Sequence, residues 1–264
     1  MANPKVHFDN GANYQKIMGA WSVLVGNAFL DWLALPKQLE WLDDGCGNGD
    51  FTELIIQHCV PERISGIDIS SALLSYARTR PDCELASFQL GNAMSLPYVD
   101  NNFDVAVMAL VIFFLPEPAK GLSEMIRVVR PGGCVAAYVW DIKDALYPLA
   151  PVNDQLEAMG KQQILPPNTN VANLNSLQDL WTQANLKDVQ ITEFTVTKAF
   201  DSFEDYWGTA LLATSISTAF NAMTPSDQQV MMNGVRKRLQ VNSNGQFFLT
   251  SKANAVRGQV PNKI

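Results

Sequence analysis

The apolar positions of the chain follow two spacings in turn, which predicts an alternation of helices and strands. Between residues 14 and 33 apolar side chains recur every three or four positions, as on the buried face of one or two amphipathic helices. Short apolar runs at 39–43, 64–69 and 103–110 predict strands, and the last is apolar throughout, as in a strand buried on both faces. Strands that alternate with helices favour an α/β domain with a largely parallel sheet.

The spacing of apolar residues predicts further elements in the rest of the chain, although the periodicity is weaker beyond residue 140. Further strands are predicted at 85–90, 134–140, 189–199 and 246–256, and further helices at 50–59, 71–80, 116–129, 152–159 and 175–184. A helical block at 203–240, interrupted at Thr224-Pro225, separates the last two strands. Because this block is too long for an ordinary connection, it predicts a helical cap over the site rather than two plain surface helices.

A glycine-rich stretch, LDDGCGNGDF at 42–51, joins the first strand to the helix after it. Gly45, Gly47 and Gly49 allow a turn in which the backbone comes close to a ligand. The G-x-G-x-G spacing lacks the third glycine of the dinucleotide fingerprint, which disfavours a nicotinamide-dependent oxidoreductase. Asp43 and Asp44 precede the glycines, so the loop is suited to a positively charged ligand rather than to a phosphate.

An acidic residue, Asp68, stands at the end of the strand predicted at 64–69. Ligands of open α/β sheets bind beyond the carboxyl ends of the strands, and an acid about 20 residues past the glycine loop can accept both hydroxyl groups of a ribose. The alternative is that Asp68 caps the helix that begins near Ser70-Ser71. We favour the ribose contact.

Composition and charge exclude several classes of function. The chain has 264 residues, of which 47% are hydrophobic and 17% charged, as in a globular protein with a full core. A formal net charge of −7 makes a nucleic acid a poor partner. The four cysteines are scattered without metal-site spacing, which predicts reduced thiols and no metal. The N-terminus lacks the pattern of a signal peptide and no apolar run has membrane-spanning length, so we expect a cytoplasmic protein without membrane contact.

Four motifs in order carry a family resemblance. LDDGCGNG at 42–49 resembles the LDxGCGxG motif of the class I methyltransferases that use S-adenosylmethionine (SAM). Gly66-Ile-Asp-Ile-Ser70, the segment 91–97 followed by Phe103-Asp104, and Arg130-Pro-Gly-Gly133 match at the family's spacing. The set is similar to the UbiE/COQ5-like methyltransferases, also called methyltransferase type 11, over about residues 18–140.

The resemblance implies a fold and a cofactor. The fold is Rossmann-like, a mostly parallel seven-stranded sheet of order 3-2-1-4-5-7-6 with helices on both faces. We expect a single domain over residues 1–264, with a lid made from 1–33, from 141–171 and from the helical insertion 203–240. The cofactor is SAM, and the product is S-adenosylhomocysteine (SAH).

The resemblance also assigns the residues that hold the cofactor. Asp44, Gly45, Cys46 and Gly47 would contact its amino-acid end, Asp68 the ribose, Ile69, Asn92, Ala93 and Met94 the adenine, Ala109 and Leu110 the methionine, and Tyr14, Met18 and Trp21 would close over it. The alternative for the last three is that their helix face simply packs on the domain.

Two departures from the family pattern leave the chemistry open. Asn92 stands where the family commonly has Asp, although an amide can still bond the base. Phe113 stands where relatives frequently carry His, so a possible catalytic base is missing. His58 is expected to be structural, His7 lies near the N-terminus, and Asp141 has no supporting motif. The general base stays unassigned.

The function expected is methyl transfer from SAM to a small, apolar or aromatic molecule at O, N or C. Aromatic residues are available to build a dry pocket for such an acceptor: Trp21, Phe113, Phe114, Trp140, Tyr206 and Trp207. The alternative is a protein that binds SAM or SAH without transferring a methyl group, as a sensor or partner subunit. The sequence leaves the acceptor and the oligomeric state open.

Overall fold

A seven-stranded sheet organises the fold. The computed structural model describes residues 11–262, with Gly11 and Tyr14 described by their backbone alone. Within that range the strand order is β3-β2-β1-β4-β5-β7-β6, and β7 runs antiparallel to both of its neighbours while the other pairs are parallel. The strands are β1 (Glu40–Asp44), β2 (Arg63–Asp68), β3 (Ala86–Leu90), β4 (Phe103–Ala109), β5 (Val129–Trp140), β6 (Lys187–Phe200) and β7 (Phe247–Gln259).

Helices connect and cover these strands. They are α1 (Gly11–Tyr14), α2 (Ala20–Leu33), α3 (Asp50–Cys59), α4 (Ser71–Ala77), α5 (Pro118–Val128), α6 (Ala150–Ala158), α7 (Leu174–Gln183), α8 (Phe203–Leu211), α9 (Thr214–Asn221) and α10 (Pro225–Arg238). A π-helical turn, Gln15–Gly19, joins α1 to α2. This turn is of interest because π-helical turns are rare and often mark functional sites.

Aromatic side chains fasten the N-terminal helix to the sheet. Phe29 of α2 lies 4.9 Å from the ring of Tyr138 on β5, and Phe51 of α3 lies 5.7 Å from the same ring. On α7 the buried indole N–H of Trp181 donates to the carbonyl oxygen of Val135 at 3.0 Å. The helices α2, α3 and α7 are therefore packed against β5 through buried aromatic side chains.

The predicted fold class and strand order are confirmed. Helix α3 has the predicted bounds, and most other elements differ from the prediction by one or two residues. The helix predicted at 71–80 is shorter than expected, because it ends at Ala77. Pro81 explains the difference, since a proline disfavours helical backbone in the residue before it and Arg80 is extended.

The block 203–240 is helical as predicted, with an additional break between α8 and α9 at Leu212 and Ala213. Ser202 and Thr224 cap α8 and α10 by accepting hydrogen bonds from the backbone amides three residues ahead. Helix α10 packs on α6, and the guanidinium of Arg238 donates to the carbonyl of Asp154 at 3.2 Å. The block therefore rests on the 141–171 segment.

Candidate functional site

The glycine loop is bound to the neighbouring strands. The amides of Gly45 and Cys46 both donate to the carbonyl of Ile67, at 2.8 and 3.0 Å. Gly45 has a φ of +88°, and a Cβ atom there would lie 2.4 Å from a methyl group of Val111. Gly47 and Gly49 also have positive φ, at +54° and +86°. The loop thus needs glycine at Gly45 for two separate reasons, backbone conformation and close packing.

Asp68 links the glycine loop to α4. Its Oδ2 accepts a hydrogen bond from the amide of Gly47 at 3.0 Å, and its Oδ1 accepts one from the amide of Ser70 at 2.7 Å. The cap of α4 is Ser70 itself, whose hydroxyl accepts from the amide of Leu73. Burial raises the pKa of Asp68, and the backbone donors oppose that rise. The backbone amide of Ile69 also acts on the carboxylate, which with about four acceptor positions keeps capacity for a ligand.

Asp43 and Asp44 are fully buried at the end of β1. Thr52 donates to Oδ2 of Asp43 at 2.6 Å, whereas Oδ1 of Asp43 and both oxygens of Asp44 have no partner within residues 11–262. Burial raises the pKa of Asp43 to about 7 and that of Asp44 well above its ordinary value. The charged neighbours that act on Asp44 are all acids. Unpaired buried carboxyl groups of this kind suit a cationic ligand.

A pH dependence of stability follows from Asp43. Its pKa in the folded protein, about 7, exceeds the ordinary value of 3.8, so the folded state keeps a proton that the unfolded state has lost. Stability therefore falls as pH rises from about 4 to about 7, and the contribution is constant above that. We expect the wild-type melting temperature to fall by roughly 5 °C or more between pH 5 and pH 8.

The Asp43→Asn variant should lose part of that dependence, because an amide cannot ionise, while Asp44 keeps its own raised pKa. Differential scanning calorimetry across the pH range measures the effect. Asp100→Asn, at an exposed carboxylate, is the matched control and should leave the slope unchanged. Parallel curves for wild type and Asp43→Asn would show that Asp43 is ionised in the folded protein.

The ends of β2 and β3 bring together the residues predicted to hold an adenine. Ile69 follows Asp68 with 77% of its surface exposed, an unusual position for an isoleucine. Asn92 is exposed and its Oδ1 accepts from the amide of Met94 at 2.8 Å, while Ala93 is buried. The amide of Asn92 keeps its N–H donors for a ligand, and its oxygen keeps a second lone pair.

The end of β4 has a strained backbone. Leu110, which follows Ala109, has a φ of +61°, and its amide donates to the carbonyl of Tyr138 at 2.9 Å. Left-handed backbone in a leucine costs free energy and is concentrated at functional sites.

The thiol of Cys46 lies near Gly66, and burial raises the pKa of this thiol well above its ordinary value. The amide of Cys46 donates to Ile67 and its carbonyl accepts from the amide of Gly49, so the backbone of Cys46 holds the shape of the loop.

The N-terminal segment reaches the glycine loop through a residue that the sequence did not indicate. Oε1 of Gln15 accepts from Nδ2 of Asn48 at 3.0 Å and from the guanidinium of Arg80 at 2.8 Å. Arg80 also pairs with Asp50 at 2.9 Å and with Glu53. Long-range polar contacts of this kind leave no periodic pattern in a sequence.

The three residues predicted to close over the cofactor take different positions. Met18 borders a cavity together with Leu110. Trp21 is 1% exposed and packs edge-on against Trp140 at 6.2 Å, which also fits the alternative of simple packing. The side chain of Tyr14, like all of His7, lies outside the described residues.

An apolar cavity opens beside Leu110, at the carboxyl ends of β4 and β5. It has an empty volume of about 520 Å³, a figure that includes solvent-open space at its mouth. Its lining consists of Met18, Leu110, Phe113, Phe114, Trp140, Ile142, Tyr147, Pro148, Leu149, Asn153, Ile164 and Pro166. Of the predicted pocket aromatics, Phe113, Phe114 and Trp140 line it.

The other predicted aromatics pack elsewhere. Trp207 packs against Phe203 and Phe220 within the cap, and the hydroxyl of Tyr206 donates to the carbonyl of Pro148 at 3.0 Å. Neither residue lines the cavity, and nor does Trp21. Their aromatic character serves the core, because a large apolar residue is suited equally to a core and to a pocket.

The candidate bases are not in the cavity. His58, at the end of α3, lies 3.7 Å from the carboxylate of Asp31. Asp141 is buried in an ion pair with Lys252 at 2.8 Å, and Lys252 also bonds Glu193. Both residues have structural partners, and the general base stays unassigned.

The family model described as a methyltransferase domain matches residues 42–137. Residues 42–137 are therefore similar to the methyltransferase domains of class I enzymes. The chain is 40% identical over 97 residues to the demethylmenaquinone methyltransferase of Symbiobacterium thermophilum, an alignment that covers 35% of this chain and 39% of the relative. It is 29% identical over 177 residues to the enzyme of the same name from Shouchella clausii, covering 58% of this chain and 73% of the relative.

The chain thus spans about two fifths of the length of the first of these relatives. A crystal structure of a putative methyltransferase from an antibiotic biosynthesis pathway of Anabaena variabilis has the same fold. Its TM-score is 0.62 at 16% identity, and the match covers 88% of this chain and 96% of the other.

Three further observations concern metal ligands, membrane-spanning helices and cysteines. Residues 11–262 contain no cluster of three or more side chains that could hold a metal ion. No helix in this part of the chain is long and apolar enough to cross a membrane. The four cysteines are buried and free.

Proposed function

We propose that this protein transfers a methyl group from SAM to a small apolar or aromatic acceptor. One observation carries the proposal: unpaired buried carboxyl groups at the glycine loop lie at the same edge of the sheet as an apolar cavity. The acids suit a cationic cofactor, and the cavity suits an uncharged molecule. Leu110 borders the cavity, and its neighbour Val111 packs against Gly45 of the glycine loop.

The residues present fit SAM. Asp68 would accept the ribose hydroxyls, and Ile69 with Asn92, Ala93 and Met94 would border the adenine. Gly45, Cys46 and Gly47 would meet the amino-acid end beside Asp44, with Ala109 and Leu110 along the methionine. Met18, with Tyr14 and Trp21 on the same segment, would belong to a lid formed by 1–33, 141–171 and 203–240.

The bound cofactor would supply an electrophilic methyl group on a sulfonium. The chain would position the acceptor and exclude water from the reacting atoms. Holding the acceptor in line with the methyl group is worth about 7 to 11 kcal/mol. No histidine, lysine or acidic residue lines the cavity described above. The acceptor should therefore lose its proton readily by itself, as a phenol or an enol does.

The names of the relatives point the same way. Two of them are named for demethylmenaquinone and another for ubiquinone and menaquinone biosynthesis. Apolar character in the acceptor agrees with the lining of this cavity. A carbon or an oxygen of an aromatic ring is the position that we favour for the methyl group.

Calorimetry and a transfer assay test the proposal. SAM and SAH should bind with micromolar affinity, and radiolabelled methyl should pass from SAM to quinols or apolar phenols rather than to hydrophilic amines. Absence of SAH binding would refute the proposal. Binding of SAH without transfer to any acceptor in the panel would favour the alternative of a binding protein.

Truncating one side chain of the cavity lining should weaken the use of the acceptor and leave the affinity for the cofactor unchanged. Phe114 borders the cavity, and Phe114→Ala removes an apolar contact worth about 1.5 to 3 kcal/mol. We expect kcat/KM for the acceptor to fall about 10- to 100-fold, because these energies correspond to such factors. Steady-state kinetics and SAH calorimetry measure the two effects.

Phe248→Ala is the matched control, because that phenylalanine on β7 is largely exposed. It should leave both quantities as in the wild type. An equal loss of SAH affinity in Phe114→Ala would mean that Phe114 supports the cofactor rather than the acceptor.

A further inference from the structure

Tyr147 brings a hydroxyl group to the mostly apolar lining of the cavity. The lining is otherwise made of hydrocarbon, apart from the amide of Asn153 and the indole of Trp140, whose buried N–H has no hydrogen-bond partner among the described residues. Tyr147 lies in the turn before α6 and is almost fully buried. A polar group in such surroundings is costly unless it is used.

The side-chain amide of Asn153 determines whether the hydroxyl of Tyr147 donates or accepts a hydrogen bond. Its Oδ1 accepts from the backbone amide of Ile164 at 2.6 Å, which sets the orientation of the side-chain amide. Its Nδ2 lies 3.4 Å from the carbonyl of Leu149, and the Asn153 side chain is close enough to the Tyr147 hydroxyl to oppose the rise in the pKa of Tyr147. Because Oδ1 of Asn153 already accepts from Ile164, the amide meets the tyrosine oxygen as a donor.

The tyrosine proton is left for another acceptor. The nearby carbonyl of Pro148 already receives the hydroxyl of Tyr206 at 3.0 Å. Burial raises the pKa of Tyr147, so the hydroxyl keeps its proton at neutral pH and acts as a donor rather than as a base. Within residues 11–262 the structure records no acceptor for this proton.

We propose that Tyr147 determines which acceptor the cavity takes: its hydroxyl, oriented by Asn153, donates a hydrogen bond to an oxygen atom of the acceptor. The cavity then selects an apolar ring that bears a carbonyl or phenolic oxygen over the same ring without it. This inference rests on the proposed function and adds a residue that fixes the orientation of the acceptor. With one oxygen held at Tyr147, a different atom of the ring faces the methyl group.

A two-by-two comparison tests the inference. The probes are 2-naphthol and naphthalene, which share an apolar ring and differ by one oxygen, and the proteins are the wild type and Tyr147→Phe. The wild type should bind 2-naphthol about three- to tenfold more tightly than Tyr147→Phe does, the range of a neutral hydrogen bond. Naphthalene affinity should be the same in both. Fluorescence titration measures all four affinities.

Tyr206→Phe is the matched control, because it removes a buried hydroxyl that already has a partner. It should lower thermal stability and leave the ratio of the two affinities unchanged. An unchanged ratio in Tyr147→Phe, or failure of both probes to bind the wild type, would overturn the inference. The titrations need no cofactor, so they are independent of the SAH calorimetry that decides the proposed function.

Discussion

Replacing Asp68 with alanine is expected to weaken SAH binding by at least a hundredfold. A ribose offers two hydroxyl donors, and a hydrogen bond to a charged group contributes about 1.5 to 3 kcal/mol. The same substitution removes the acceptor of the Gly47 and Ser70 amides, which loosens the loop that receives the cofactor. Isothermal titration calorimetry with SAH measures the loss.

A second ligand separates the ribose contact from other roles of Asp68. 5′-Methylthioadenosine has the ribose of SAH without its amino acid, so its affinity should fall by the same factor. A loss confined to SAH would place the carboxylate at the amino-acid end instead. Asp82→Ala, an acid in the turn after α4, should bind both ligands like the wild type.

Replacing Gly45 with alanine is expected to lower the free energy of unfolding by about 2 kcal/mol or more and to abolish measurable SAH binding. The new methyl group would stand 2.4 Å from Val111, and the φ of +88° disfavours any side chain. Strain and overpacking each cost about 1 to 3 kcal/mol. Urea unfolding and SAH calorimetry give the two numbers.

Gly245→Ala is the matched control for Gly45→Ala. Gly245 has a similar φ of +84°, but a Cβ atom there would meet nothing within 4 Å. It should show only the cost of the backbone strain and should bind SAH normally. Equal destabilisation in the two variants would show that Val111 moves aside without cost.

The sequence could predict the features that depend on local pattern. The apolar run at 103–110 identifies a strand, the glycines at 45–49 identify a loop, and Asp68 identifies the strand end beside that loop. None of these predictions needs information from distant residues. The strand order and the mostly parallel sheet came from the family resemblance, and the structure agrees. The placement of the site at the carboxyl ends of the strands follows from the same topology.

The contacts between distant segments could not be predicted in this way. Gln15 meets Arg80 across 65 positions, and nothing in a helical apolar stripe signals that contact. Tyr147 and Asn153 lie in the segment where the periodicity is weakest. Trp207 is predicted to line the acceptor pocket, yet it packs within the cap. Residue type alone does not distinguish an aromatic side chain that lines a pocket from one that belongs to the core.

The shared acceptor on Gln15 has a consequence for access to the glycine loop. One side-chain oxygen holds two partners that belong to different parts of the fold, Asn48 in the loop and Arg80 beyond α4. If the N-terminal segment swings outward, both partners lose that oxygen in the same movement, and Arg80 keeps only its carboxylates. The contact of the N-terminal segment with the loop and its contact with Arg80 are therefore coupled through one atom, and a substitution at Gln15 removes both.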